Sequence, residues 1–544
     1  GSGQIDASIG TIAFGNAANL SLPTSLFSGD IATLSKTAGA GTVTLNDALT
    51  TVGNLSTTAS TGAVILAANK QLTITGTLTN NGAMTIESGG TFKQGTSVTG
   101  NGTYSVQQYL TGSNNGGVLD GRFWYMGVPL NVTRTSSFGD ETTTNRAWTW
   151  SETAQQYGVV QNATTLTPTT GIVYRRGSNG TVSFNGTGLY AQDATLTGLT
   201  KTGANFSGYH LLANPYTAYL DFEMMHAGAN NMSSTIWTRA AASGNSMVFD
   251  TYNASSNLGV NPSGGTSNQF IAPMQAFWVR VAGNTGTTGN ISMTRAMTDH
   301  NANYGGLKSS AEYPAFARVN IVDGAKYDQT LVYLRDDQSN GVDAFDSEKM
   351  FASGLAQVYT TAATKKLVMN GLKNNKKRIS VPLYFDLPTS KVYELTLAEF
   401  NLENGIILLE DKQEGSIQDF TINDHYAFYA SSGTLNNRFV LHFYMPDVIT
   451  QYQAPSNNWA NPEPIEGGIF IGSDGRGKVL VELELPSETQ TDHVQILNAA
   501  GQVVFEADLN GAQSEFDLEA TTGIYLVKVT NGTTTEIKKI IIQH

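Results

Sequence analysis

The sequence predicts an all-β chain: an N-terminal β-solenoid-like segment, two antiparallel β-sandwich domains of jelly-roll or Ig-like type, and a small C-terminal Ig-like β-sandwich. Three observations lead there. Charged residues make up 14% of the 544 residues, against about 25% in an average soluble protein. Glycine is abundant, at 57 residues, and Thr, Ser and Asn accompany it, which favours turns over helices. The apolar residues fall in short alternating runs bounded by turn residues, the period of a half-buried strand. At roughly 100–200 residues per domain the chain holds three to five units.

Residues 1–110 form the solenoid-like segment. They carry only Asp6, Asp30, Asp47 and Glu87 against Lys36, Lys70 and Lys93. Short runs recur at Val64 to Leu66, Leu72 to Ile74, Met84 to Ile86 and Phe92, separated by Asn69-Lys70, Asn80-Asn81-Gly82 and Gly89-Gly90. Strand-plus-turn units of about ten residues read as stacked coils. Such a stack needs a covered end, because an open coil exposes unpaired N–H and C=O groups. This segment is expected to be the last part of a longer solenoid. The start, Gly1-Ser2-Gly3-Gln4, has no charged or apolar leader, so a signal peptide is expected to have been removed or the chain to be a piece of something longer.

Residues 111–305 carry five of the six tryptophans. Phe123 to Leu130, His210 to Tyr216 and Ile271 to Val281 are β-prone runs, and the unit reads as an aromatic-rich sandwich. Residues 312–445 show seven clear strands, at 317–322, 329–335, 379–387, 393–397, 405–410, 425–430 and 438–444, enough for a second sandwich. The stretch from Leu355 to Asn370 has ambiguous periodicity. Pro446, Pro455, Pro462 and Pro464 mark a stiff linker over 446–466. Six strands follow in 467–544, at 478–485, 493–498, 502–508, 514–518, 523–530 and 534–542, with Asn531-Gly532 as a hairpin signal. The last 76 residues hold eleven acids and five bases.

In this last unit Gly501-Gln502-Val503-Val504, then Thr522-Gly523-Ile524-Tyr525-Leu526-Val527-Lys528-Val529, then Lys538-Lys539-Ile540-Ile541-Ile542 form a recognisable series. It resembles the type A-like C-terminal sorting domain of the type IX secretion system of Bacteroidota, in which a Gly-x-Tyr strand leads through a turn to a basic-apolar tail. The Pro-Asn-Pro element that often opens the family is replaced by Ile471-Gly-Ser-Asp-Gly475. Leu212 to Tyr216, Ile271 to Gln275, Asp343 to Lys349 and Arg438 to Phe443 are similar to pieces of modules found upstream of such domains. The resemblance implies a secreted cell-surface protein, exported across the outer membrane by the translocon and its barrel shuttle. Removal of the domain by a sortase-like peptidase, with anchoring on lipopolysaccharide or release, would follow. The sorting signal would be Gly501, Gly523, Tyr525, Val527, Val529, Lys538, Lys539 and Ile540 to Ile542. The terminal strand would offer an apolar handle at a sheet edge.

The net charge of −13 with no basic stripe excludes nucleic acid as a partner and disfavours anionic membranes. No cysteine is present, so disulfides, thiolate metal sites and cysteine nucleophiles are excluded. No run of about 18 apolar residues predicts a transmembrane segment. His-Glu-x-x-His, Gly-x-Ser-x-Gly and Walker patterns are missing. Gly39-Ala-Gly-Thr42 reads as a turn. Glu223-Met-Met-His226 could place two metal ligands on one helical face but reads first as a short surface helix. Asp336, Asp337, Asp343 and Asp346 bring oxygen donors to a density that suits Ca²⁺. A hydrogen-bonded acidic loop, with Asp346 paired to Lys349, accounts for the same residues, and no other cofactor is expected. Trp148-Thr-Trp150 puts two indoles on one strand face, as a glycan platform or as core. The reading is a non-enzymatic, structural or adhesin-like surface protein. The alternative is a glycan-binding or polysaccharide-degrading one, and the scarcity of charge in residues 1–110 disfavours a lyase groove there.

Overall fold

The computed structural model describes residues 3–59, 62–113, 121–139, 146–203, 207–242, 246–264, 268–300, 315–336, 339–374, 378–403, 405–445, 469–473, 478–483, 491–509, 511, 513–519, 521–532 and 534–542. The chain divides into two compact units, Gly1–Ser309 and Ser310–His544. The described residues are built overwhelmingly of strands, with few and short helices.

The first unit opens as stacked parallel coils. One sheet runs through Thr11–Phe14, Ile31–Lys36 and Leu49–Thr57, and continues into Thr77–Asn80 and Ser97–Thr99. The other runs through Leu20–Ser21, Val43–Leu45, Val64–Leu66, Ala83–Ile86 and Thr103–Leu110. The coil repeat is about 20 residues, two of the predicted strand-plus-turn units. In-register pairing puts like side chains above one another. Leu34, Leu55 and Leu78 form one buried column, and Val43, Val64 and Met84 another. The short turn Gly39 to Thr42 lies against the coil below. A Cβ on Gly41 would sit 2.0 Å from the carbonyl oxygen of Ala18, so only glycine fits there.

The stack ends on an antiparallel partner. Gly180–Thr187 pairs with Thr103–Leu110 along its whole length and brings Val182 and Phe184 into the same core. The remainder of the unit also grips the coils from the side. Phe92 N–H donates to the Thr217 carbonyl at 2.7 Å and Thr217 Oγ1 returns a bond to the Phe92 carbonyl at 3.1 Å. Arg295 reaches the carbonyls of Gly95 and Thr96 at 2.8 and 3.0 Å. The His300 ring lies between Thr73 Oγ1 at 2.7 Å and Thr91 Oγ1 at 2.8 Å. Beyond the coils lie antiparallel sheets. One joins Arg122–Met126, Ile172–Arg176, Ala147–Ser151 and Gln156–Val159. Another joins Tyr209–Ala213, Ala276–Arg280, Thr235–Ala241, Met247–Asn253 and Leu258–Val260.

In the second unit, residues 315–444 form one hydrogen-bonded sheet of eleven strands around a large apolar core, with a small second cluster of Leu408, Ile417 and Tyr444. The ambiguous stretch from Leu355 resolves into Gln357–Ala362 and Lys365–Lys373, an antiparallel pair. Two buried ion pairs brace this sheet, Lys349 with Asp328 and Arg438 with Asp411. The terminal domain has seven strands among the described residues, one more than predicted, because Ile469–Ser473 pairs with Lys478–Leu483. Three strands face four around a core of Ile471, Val481, Val494, Ile496, Val527 and Val529. The closing hairpin extends its first strand through Asn531, so the turn falls after that residue, at Gly532, which takes a φ of 54°.

Phe184→Ala is expected to remove about 3–5 kcal/mol from the first unit. Exposed Tyr109, on the strand Phe184's own strand pairs with, tolerates alanine, and thermal unfolding compares the two. Burial and the nearby Lys93 hold the His300 imidazole down at about 4. The folded unit therefore binds that proton less readily than the unfolded chain does. Its contribution is complete above pH ~6.5 and is lost as pH falls toward 4. His300→Gln should flatten this part of the pH dependence of the melting temperature, and an unchanged slope would refute the assignment.

Candidate functional site

The sorting-signal residues divide between the two faces of one small sheet. Alternation along Gly523–Asn531 turns Tyr525, Val527 and Val529 inward and Ile524 and Leu526 outward. The Tyr525 hydroxyl donates to the Thr521 carbonyl four residues back at 2.9 Å, pinning the start of the strand. Tyr393 makes the same bond to Thr389 at 2.6 Å in the preceding sheet. Gly501 turns the chain at a φ of 79°, its N–H donating to the Asn498 carbonyl. Thr534–Ile542 is an edge strand, paired only with Gly523–Asn531 among the described residues.

The apolar handle expected of the tail is placed differently. Ile540 and Ile542 are buried in the domain's own core, where they help to close the sandwich. What the domain leaves open is the outer face of the four-stranded sheet. Val503, Leu497, Leu526 and Lys539 lie in one cross-strand row. Ile524 and Ile537 flank it, and Val503, Ile524, Leu526 and Ile537 are all exposed. Lys538, by contrast, stands in register with inward-facing Val527.

A second candidate lies in the first unit. Register places Phe123, Tyr125, Val173, Trp148, Trp150 and Tyr157 on one face of the four-stranded sheet. The opposite face, with Met126, Ile172, Tyr174 and Ala147, is core. The two tryptophans share a face as expected, but their surroundings separate them. Trp150 donates through Nε1 to the Tyr209 carbonyl at 2.8 Å and packs edge-on between Tyr157 and Trp278. Trp148 instead lines an open cleft of about 280 Å³ with Phe123, Tyr125, Tyr157, Val173 and Arg239. Arg239, on the strand Thr235–Ala241 of the neighbouring sheet, was not singled out by the sequence. Its guanidinium lies 5.4 Å from the ring centre of Tyr125 and 5.3 Å from that of Phe249.

The acidic loop holds its own backbone. Asp343 Oδ1 accepts from Phe345 N–H and Asp343 Oδ2 from Ser339 Oγ. Asp346 accepts from the N–H groups of Asp343 and Gly371, both at 2.9 Å. Burial pushes the Asp346 carboxyl up to about 6. Asp336 is exposed, and Asp337 lies outside the described residues. Among the described residues no group of three His, Asp or Glu is placed to hold a metal. The expected Asp346–Lys349 pair is not formed. Lys349, just past the strand Ser347–Glu348, instead donates through Nζ to both oxygens of Asp328 at 2.7 and 2.6 Å. Glu223 and His226 sit on the short helix Phe222–Ala227, where Glu223 accepts from the Tyr252 hydroxyl and His226 packs on Phe222.

One constellation escaped the sequence. Ser380 Oγ and His442 Nδ1 are 2.8 Å apart, and His442 Nε2 and Glu410 Oε2 are 2.9 Å apart. Three strands contribute one residue each, so no local signal announces it. It has the bonding order of a nucleophilic triad, with Ser380 exposed and the His442 imidazole buried at 1% exposure. The imidazole gives the buried Glu410 a hydrogen-bond partner.

A family model described as a domain of unknown function (DUF8693) matches residues 32–443, and the chain belongs to that family. A second, described as a secretion system C-terminal sorting domain, matches residues 473–543. The terminal unit is thus a type IX sorting domain of the Bacteroidota kind, and the protein is exported across the outer membrane to the cell surface or medium. The minor fimbrium subunit Mfa5 of Porphyromonas gingivalis is 22% identical over 391 residues, which cover 67% of this chain and 30% of that protein. The BSP domain of a biofilm associated protein is 8% identical over 65% of this chain and 81% of its own, with a TM-score of 0.11, too low to bear on the fold. No helix among the described residues is long and apolar enough to cross a membrane.

Lys349→Met strands the buried Asp328 carboxylate and should cost about 3–5 kcal/mol. Asp336→Asn, on an exposed turn, should stay within about 0.5 kcal/mol. Chemical unfolding of the two variants checks both values.

Proposed function

We propose that this member of the DUF8693 family is a non-enzymatic surface protein, structural or adhesin-like, whose β-rich body is cargo and whose last domain is its export address. In this reading 1–110, 111–305 and 312–445 are the cargo modules, 446–466 a linker and 467–544 the domain engaged by the translocon and its barrel shuttle. A sortase-like peptidase then removes the domain, and the body is anchored on lipopolysaccharide or released. The observation that carries the reading is the outward apolar row of exposed Val503, half-buried Leu497 and exposed Leu526 beside Lys539. A stable sandwich has no need of such a row on its solvent face, and exposed apolar patches mark partner surfaces. The distant likeness to a fimbrial subunit supports a surface role for the body.

Glycan binding is the second reading, favoured by the aromatic cleft at Trp148. That cleft has no carboxylate in its lining, and polysaccharide hydrolysis needs a pair of them, so binding is favoured over degradation.

Leu526→Glu with Ile537→Glu should leave the domain folded, because both side chains are exposed. Export should fall toward the level reached on deletion of residues 473–543, with full-length chain accumulating in the periplasm. Surface labelling of intact cells reads the result, and normal delivery of the double variant would sink the proposed docking face.

A further inference from the structure

We propose that the cleft at Trp148 is a binding site for a carboxylated pyranose, with the sugar ring lying on the aromatic floor and its carboxylate held by Arg239. Three features of the cleft select this ligand class. The first is its floor. Phe123, Tyr125, Trp148 and Tyr157 come from three of the sheet's four strands, and the fourth adds Val173 between them, so that the aromatic side chains line the cleft together. Such a surface takes the C–H face of a sugar ring and leaves its hydroxyls to solvent.

The second is the cation. Arg239 is held on two sides by Tyr125 and Phe249 and through its Nε, which donates to the Phe123 carbonyl at 3.2 Å. Its two terminal nitrogens have no acceptor among the described residues. A guanidinium fixed in this way presents a planar pair of N–H donors to the cleft at little further cost in side-chain order. That fork matches a carboxylate bidentately, and no acidic side chain lines the cleft to occupy it. The chain as a whole is acidic, with a net charge of −13, yet this arginine stands in a cleft lined by no acid.

The third is size. At about 280 Å³ the cleft lies at the small end of ligand sites. It holds one ring rather than a chain, so the ligand is the terminal residue of a saccharide.

This inference deepens the glycan-binding reading and is independent of the export reading. Its test uses the purified full chain, so a failure here leaves the sorting domain untouched. Isothermal titration calorimetry would compare three sets of short saccharides: chains ending in a uronic acid, chains ending in a sialic acid, and their neutral counterparts. The carboxylated ends should bind at least about tenfold more tightly than the neutral ones, the advantage expected of a charge-assisted fork. Preference for uronic or for sialic ends would identify the source, and either supports the site. Arg239→Gln should abolish the preference for acid while leaving the weak neutral binding. Trp148→Ala should weaken both. Should Arg239→Gln unfold, Arg239→Lys keeps the charge and loses the fork, and should retain only part of the preference. Equal affinity for acidic and neutral ends, binding of neither acidic set, or an undiminished preference in both arginine variants would overturn the proposal.

Discussion

A stack of parallel coils ends in a row of peptide groups with nothing to bond to, and the rest of the first unit is arranged around that fact. The row on Thr103–Leu110 is paired by Gly180–Thr187, which runs antiparallel to it. That strand is now the edge of the sheet, and its antiparallel direction stops the coil repeat there. The chain leaves the stack at residue 110 and returns 70 residues later. The excursion includes all four strands of the aromatic sheet and the short helix carrying Phe138. Because Phe138, Tyr174 and Phe184 share one core with the coils, the sheet is seated on the solenoid rather than tethered to it. The cleft at Trp148 inherits that rigidity.

Burial decides which polar groups retain chemistry. Asp343 and Asp346 look like cation ligands in the sequence, yet their oxygens are taken up by backbone N–H groups. Ser380, His442 and Glu410 have the bonding order of a catalytic triad, yet the imidazole is buried. Arg239 is the opposite case. It is held by rings and one carbonyl, while its charged end faces a space lined by no acid. Availability, rather than residue type, separates the last from the first two.

The terminal domain divides stability and recognition between the two sides of a single ladder. Tyr525, Val527, Ile540 and Ile542 face inward and close the sandwich, while Ile524, Leu526 and Ile537 face out. Alternation makes this division automatic in a strand with apolar residues on both faces. The inward set supplies a core for a domain of only some 70 residues matched, and the outward set remains for a partner.

Much was legible in the residues alone. The all-β class, most strand positions and the coil-forming start followed from short alternating runs and turn residues, which are local signals. The sorting series from Gly501 to Ile542 was legible for the same reason, since each part is contiguous. The shared face of Trp148 and Trp150 followed from alternation. Other features depended on pairing between distant strands, which no local pattern encodes. Residues 180–187 capping a stack that ends at 110, Arg239 reaching Tyr125, Lys349 choosing Asp328 over Asp346, and the inward turn of Ile540 and Ile542 are all decided by such pairing. A one-residue slip reverses which side chain is buried, so the tertiary structure alone settled which of the candidate groups were left open to solvent.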